Sequence, residues 1–230
     1  MVTRGVPAEQ TGKPGPGAAA GTSGSGRAVG GAGLKGEAIA QAALRLFLRD
    51  GYERTSVDAI AAEAGVSKRT IYNRYGDKEN LFLSVLQDTY ASMLATFRGI
   101  AEKHLAEVTD VQQDLTAFAR ETALTLTLAP DRIALIRLMM AEAPFFPSLI
   151  RVDPGPTTMQ GAVAGCLARL TEQGRLAVTD PAEAAQHLLA LTINRINART
   201  MFGTVPISGA EVEQIVTSGV AAFVRAYRPA

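Results

Sequence analysis

The sequence predicts an all-α chain, with a three-helix helix-turn-helix unit near its N-terminus followed by a larger helical region. Three observations carry this. From Leu34 onward, apolar residues recur at the i, i+3, i+4, i+7 spacing of one helix face. Cap residues and glycines interrupt that periodicity about one helix length apart. No segment sustains the apolar–polar alternation of a strand, and no internal repeat is visible. With 230 residues, 47% apolar and 20% charged, the chain is large enough for a sizeable core.

Residues 1–33 stand apart. They hold 10 of the 22 glycines and 3 of the 11 prolines, and no Leu, Ile or Phe. Such a segment buries too little apolar area to offset its ordering entropy, and it is read as a disordered arm. Its charges (Arg4, Lys13 and Arg27 against Glu9) are sparse, which favours an inert tail over a DNA-touching one.

The elements follow in order. Ile39, Ala42, Ala43, Leu46 and Phe47 form one helix face, and Gly51 ends that helix. Thr55-Ser56-Val57-Asp58 has the form of a capping box with Thr55 as N-cap. Val57, Ile60, Ala61 and Ala64 then line the inner face of a second helix, stopped by Gly65. Ser67 caps a third from Lys68, and Asp77 caps a long fourth reaching toward His104. Further helices are expected at 110–128, 131–143, 157–173, 181–202 and 209–227. Asp180-Pro181-Ala182-Glu183 and Ser208-Gly209-Ala210-Glu211 mark the last two starts. Pro144–Pro156, with four prolines, reads as a kinked connection.

Thr55–Lys78 carries the most information. Two short helices are separated by Gly65-Val66-Ser67, the length of a helix-turn-helix turn. Ala61 is small where the helices cross, Gly65 permits a left-handed turn, and Val66 and Ile71 fill the wedge. At 100° per residue, Ile71 and Tyr75 face the core, while Arg69, Thr70, Asn73 and Arg74 face outward. Lys68 and Tyr72 lie on the flank, within reach of a phosphate. An outer face of Arg, Thr and Asn can donate to base edges and phosphates in a major groove.

Charge agrees locally. The whole chain has 23 Lys+Arg against 22 Asp+Glu, a net charge of +1. Val66–Lys78 holds Lys68, Arg69, Arg74 and Lys78 against Asp77 alone, a local net charge of +3. Residues 34–88 balance eight bases with eight acids, so the positive field is confined to the third helix and its flanks. One Cys (Cys166) excludes an internal disulfide, and with His104 and His187 as the only histidines no metal site is expected. Cys166, among Ala and Leu, reads as a small buried hydrophobe. No cofactor motif and no catalytic residue is identified, and the chain is read as a non-enzyme. No apolar run reaches the roughly 18 residues of a membrane span, and no secretory h-region is present. These features suggest a cytoplasmic protein without a membrane partner.

Several of these residues together carry a resemblance. They are the Ala42-Leu46-Phe47 face, Gly51-Tyr52, Thr55-Ser56-Val57, Ile60-Ala61, Ala64-Gly65-Val66-Ser67, Ile71-Tyr72, Tyr75, Asp77-Lys78-Glu79 and Leu81-Phe82. In order and spacing, residues 34–88 resemble the N-terminal DNA-binding domain of the TetR family of bacterial transcription regulators. The resemblance implies a DNA-binding domain over 34–80 and a ligand-binding and dimerisation domain over 81–230. It implies phosphate contacts at Thr55 and Lys78, and recognition-helix contacts at Lys68, Thr70 and Tyr72. Asn73 stands where many members have His, and Tyr75 where most have Phe. Arg69 occupies a variable position and is the candidate for sequence specificity. Arg74 is read as a solvated charge.

The C-terminal part adds its own signals. Leu188, Leu189, Leu191, Ile193 and Ile196 spread over an arc of roughly 200°, and the apolar residues of 209–227 over roughly 180°. Such helices need two partners, which suggests a homodimer through the last two helices. Phe118, Thr122, Arg137, Met140, Phe145 and Asn194 are the candidate lining of a pocket for a small-molecule effector, with Leu126, Phe146 and Asn197 as further possibilities. Arg137, on an otherwise apolar helix, would need a carboxylate ligand or Glu142 as partner. The expected function is a regulator of transcription, a repressor released from palindromic double-stranded DNA by a ligand. A constitutive DNA-binding or chromosome-associated protein is the alternative. An enzyme in the C-terminal region is a weaker one.

Overall fold

The computed structural model describes residues 26–150 and 158–229, with side chains over 33–149 and 158–229. Among the described residues the chain forms ten α-helices and no strand. The first, α1 (Gly26–Asp50), begins eight residues earlier than the sequence suggests. The expected arm is therefore shorter at its C-terminal end. Extending an existing helix needs no new nucleus and adds one hydrogen bond per residue fixed. Residues 1–25 of the expected arm lie outside the described residues.

Three helices follow as anticipated: α2 (Val57–Ala64), α3 (Lys68–Tyr75) and α4 (Lys78–Leu105). Ser67 and Asp77 cap α3 and α4. The cap of α2 is a correction. Ser56, not Thr55, accepts the Ala59 N–H. Thr55 is buried and turns its hydroxyl inward, donating to Gly51 O at 2.7 Å and Leu46 O at 3.3 Å. It ties the α1–α2 turn to the end of α1 and leaves the capping to its neighbour.

Beyond α4 come α5 (Val111–Thr122), α6 (Pro130–Glu142), α7 (Met159–Glu172), α8 (Pro181–Leu191), α9 (Ile193–Thr200) and α10 (Gly209–Tyr227). Two expected helices are interrupted. The one at 110–128 becomes α5 followed by a π-helical turn, Ala123–Thr127, closed by Leu128 N–H donating to Ala123 O at 2.9 Å. The one at 181–202 breaks at Thr192 (φ −121°, ψ −86°) into α8 and α9. Both starts read from the sequence hold: Asp180 caps α8 beside Pro181, and Ser208 with Glu211 forms a capping box on α10. A 3₁₀ turn, Pro147–Ile150, follows α6, and the rest of the expected connection to α7 lies outside the described residues.

Two cores organise the helices. The N-terminal one joins α1, α2 and α3 through Phe47, Ile60 and Ile71 to Leu81, Phe82, Val85, Leu86 and Met93 of α4. It also takes in Leu135 and Leu138 of α6 and Phe146 beyond it. The C-terminal core begins further along the same α4, with Phe97, Ile100, Ala101 and Leu105, and packs them on α5, α7, α8, α9 and α10. At 1.5 Å per residue, the 28-residue α4 is about 42 Å long and belongs to both.

Candidate nucleic-acid interface

The unit that presents α3 is locked at every joint. Gly65 adopts the left-handed conformation (φ 64°, ψ 33°) that ends α2, and Val66 N–H donates to Ala61 O at 3.0 Å. Ser67 Oγ accepts the Thr70 N–H at 3.1 Å, satisfying a donor at the N-terminus of α3. Ile71 is fully buried and anchors the helix. Gly76 (φ 83°) and Asp77 then turn the chain into α4, where Asp77 accepts the Asn80 N–H at 2.7 Å.

With Ile71 inward, Arg69, Tyr72 and Asn73 are exposed on the opposite side of α3. Thr70 is half-buried, its hydroxyl sharing a 2.8 Å hydrogen bond with Ser67. Lys68 is exposed but engaged: its ammonium donates to Asp58 of α2 at 2.9 Å, and that bond raises its pKa. Arg74 lies against Gly36 of α1 and near the Tyr75 ring, away from the Arg69–Asn73 face. Lys78 sits 4.2 Å above the centre of the Tyr52 ring and donates to Glu53 O at 3.2 Å. Burial holds the Tyr52 phenol above its ordinary pKa, so this ring is neutral beneath the cation.

Of the seven residues expected at DNA, six (Lys68, Arg69, Thr70, Tyr72, Asn73 and Lys78) thus fall on or beside the outer side of α3 and the start of α4. Thr55 does not join them, because its hydroxyl is consumed inside the α1–α2 turn. The arrangement is a short, rigidly capped helix presenting cationic and amide donors, flanked by a helix N-terminus. That is a suitable geometry for base edges and phosphates.

Comparison with known proteins agrees. Residues 39–85 match the model of the bacterial regulatory proteins of the tetR family, and residues 113–229 match that of the AefR-like transcriptional repressor C-terminal domain. The chain belongs to the TetR family of bacterial transcription regulators. It is 30% identical over 139 residues to the DNA-binding transcriptional repressor TetR of Mycobacteroides abscessus, covering 57% of this chain and 67% of that one. It is 36% identical over 70 residues to the repressor AcnR of Corynebacterium glutamicum, covering 30% of this chain and 36% of that protein. Among solved structures, a TetR-family regulator from Mesorhizobium loti superposes with a TM-score of 0.78 at 30% identity, covering 86% of this chain and 98% of that one. The flavonoid-responsive regulator FrrA superposes with a TM-score of 0.66 at 29% identity, covering 86% and 98%. This TetR-family chain is a DNA-binding regulator of transcription.

The second expected site is not assembled. Phe118 and Thr122 are buried in the C-terminal core. Met140 and Phe145 are 53% and 76% exposed, and Arg137 and Asn194 also face solvent. The 3.6-residue period of α6 places two of these: Leu135 and Leu138 point into the N-terminal core, which turns Arg137 and Met140 outward. Glu142 does not partner Arg137. Its Oε1 accepts the Tyr52 backbone N–H at 3.1 Å. A cleft of 350 Å³ opens between α1, α4 and α6, and one of 520 Å³ between α4 and α7; none of the six residues lines either. Sequence reasoning missed Ser56 and the Tyr52–Glu142 contact. The first was legible in adjacent Thr and Ser, either able to cap. The second spans 90 positions and had no local signal.

Proposed function

We propose that this protein is a cytoplasmic, homodimeric repressor that reads a two-fold operator with the Arg69–Asn73 face of α3 and is released by a small-molecule effector. The observation that carries the DNA reading is that outward face, held by caps at both ends of an eight-residue helix. Arg69 and Asn73 read base edges, while Lys68, Thr70, Tyr72 and Lys78 hold phosphates. Two copies joined through α8–α10 place two such helices on successive half-sites. The apolar residues left half-exposed there, Leu189, Leu191 and Val224 among them, support this partner. Two features support an effector. Thr122 has a buried hydroxyl without a hydrogen-bond partner in the C-terminal core, next to the π-helical turn. The similar FrrA is named as flavonoid-responsive.

Selection of fragmented source-genome DNA by the purified protein, followed by sequencing, tests the reading. A palindromic site with half-sites roughly 34–36 Å apart is expected. Enrichment without a shared sequence would replace the operator reading with a general chromosomal role. On the recovered site, Arg69→Ala or Asn73→Ala relaxes sequence preference. Lys78→Ala weakens all sequences alike and lowers the salt slope by about one. An unchanged preferred sequence in Arg69→Ala removes that residue from the groove.

A further inference from the structure

We propose that α6 sets the phosphate grip of the DNA-binding unit, with Glu142 and Phe146 as positioning residues that hold Tyr52 as the seat of Lys78. The inference rests on the reading that Lys78 meets a phosphate. Tyr52 follows Gly51 (φ 81°) in the turn that ends α1, and its backbone N–H bonds to no carbonyl of that helix. That N–H is satisfied from 90 residues away, by Glu142 Oε1 at 3.1 Å. The ring is held as well. Phe146 meets it edge-on with centroids 4.8 Å apart, and Phe82 packs at 4.9 Å. Above it rests the Lys78 ammonium, 4.2 Å from the ring centre and tied to Glu53 O. An ammonium has three donors, so after Glu53 O two remain for a phosphate, and the ring sets where they point.

Glu142 and Phe146 belong to the stretch that matches the C-terminal repressor domain, and Tyr52 and Lys78 to the stretch that matches the DNA-binding domain. The contact is therefore a second bridge between the two, beside the continuous α4. A displacement of α6 that withdraws Glu142 and Phe146 loosens Tyr52 and unseats Lys78, without α3 having to move.

The sign of one substitution separates this role from simple electrostatics. Glu142 is an anion near the DNA-facing side, so its removal should tighten DNA binding if charge alone mattered. Positioning predicts the reverse. The probe is a fluorescein-labelled mixed-sequence duplex, titrated with the full-length protein in a salt series. Glu142→Ala should weaken binding about three- to ten-fold, the effect of one lost hydrogen bond. Glu142→Gln keeps an acceptor oxygen and should bind as tightly as the parent. Tyr52→Leu keeps apolar contact with Phe146 but removes the ring; it should weaken binding as Glu142→Ala does. In a Lys78→Ala background both effects should vanish. Binding that is unchanged or tighter in Glu142→Ala, or equal losses with and without Lys78, overturns the proposal. An unaltered salt slope in Lys78→Ala overturns the underlying phosphate reading instead.

Discussion

At the scale of single residues, the DNA-facing cations are not equivalent. Arg69 is exposed on α3, whereas Lys68 is held by Asp58 across the α2–α3 turn. Both partners of that pair are largely exposed, at 47% and 69%, so solvent and salt screen it and it adds little to stability. Its consequence is for binding: Lys68 must leave Asp58 or share it before it meets a phosphate. Asp58→Asn is therefore expected to strengthen binding to any duplex by about three-fold and to steepen the salt slope. The gain should shrink in a Lys68→Ala background, measured by anisotropy on a mixed-sequence duplex. A gain of the same size in both backgrounds would mean that Asp58 acts only as a distant charge. Thr55 offers a second lesson at this scale. A hydroxyl at a helix start suggests a cap or a phosphate contact, but Ser56 beside it can cap equally well, and only the fold decides which of two adjacent hydroxyls turns inward.

At the scale of elements, the breaks in the long helices are where packing overrode periodicity. The apolar spacing of 181–202 is compatible with one continuous helix, yet the chain breaks at Thr192. The cause lies on another element. Gly219 of α10 presses directly on the Leu191 carbonyl, so closely that a Cβ there would collide with it. Thr192 donates its buried hydroxyl to Leu188 O at 2.7 Å, covering one carbonyl at the break. Gly219→Ala is thus expected to destabilise the protein by about 1–3 kcal/mol, because backbone rather than a flexible side chain must move. Thermal melting checks this, and an unchanged Tm would show that the α8–α9 break is not held by α10. The caps at Ser67, Asp77, Asp180 and Ser208 were legible because each is a local pairing of side chain and backbone. The break at Thr192 was not, because the close approach of Gly219 at Leu191 comes from another helix. The outer face of α3 was legible for the same local reason as the caps, since burying Ile71 fixes where Arg69 and Asn73 point. The lining of a pocket depends on which helices meet, and Phe118 and Met140 ended on opposite sides of that outcome.

At the scale of the whole molecule, the two cores share α4 and meet again at α6, and both halves have ion pairs between helices, but the carboxylates with a lowered pKa are distributed unequally. In the C-terminal half three carboxylates pin one helix to another. Glu121 of α5 accepts from Lys103 and contacts His104, both of α4. Glu213 of α10 holds Arg120 of α5 through two bonds, at 2.6 and 2.5 Å. Glu211 of α10 accepts from the Ser208 backbone and from Arg199 of α9. Each is held below the ordinary glutamate pKa: Glu121 by Lys103 and then His104, Glu213 by Arg120, and Glu211 by the Ser208 N–H and then Arg199. In the N-terminal half Asp50 is also lowered, by Arg49, but that partner is adjacent in sequence and stays close in the unfolded chain. It therefore contributes little to the difference between the folded and unfolded states. A carboxylate whose folded pKa is depressed lends stability above its unfolded pKa and loses it as pH falls through the folded value. The C-terminal half should accordingly weaken first as pH falls below the ordinary glutamate range, while stability between pH 6 and 8 changes little from these groups. Glu213→Gln tests the sign. At pH 7 it should cost about 0.5–1 kcal/mol, kept small because the pair is nearly half exposed, which lowers Tm by about 2 °C. At acid pH, where Glu213 is protonated in the parent too, the two melting curves should converge. A gap that stays constant from pH 7 to acid would show that Glu213 contributes through packing rather than through its charge on Arg120.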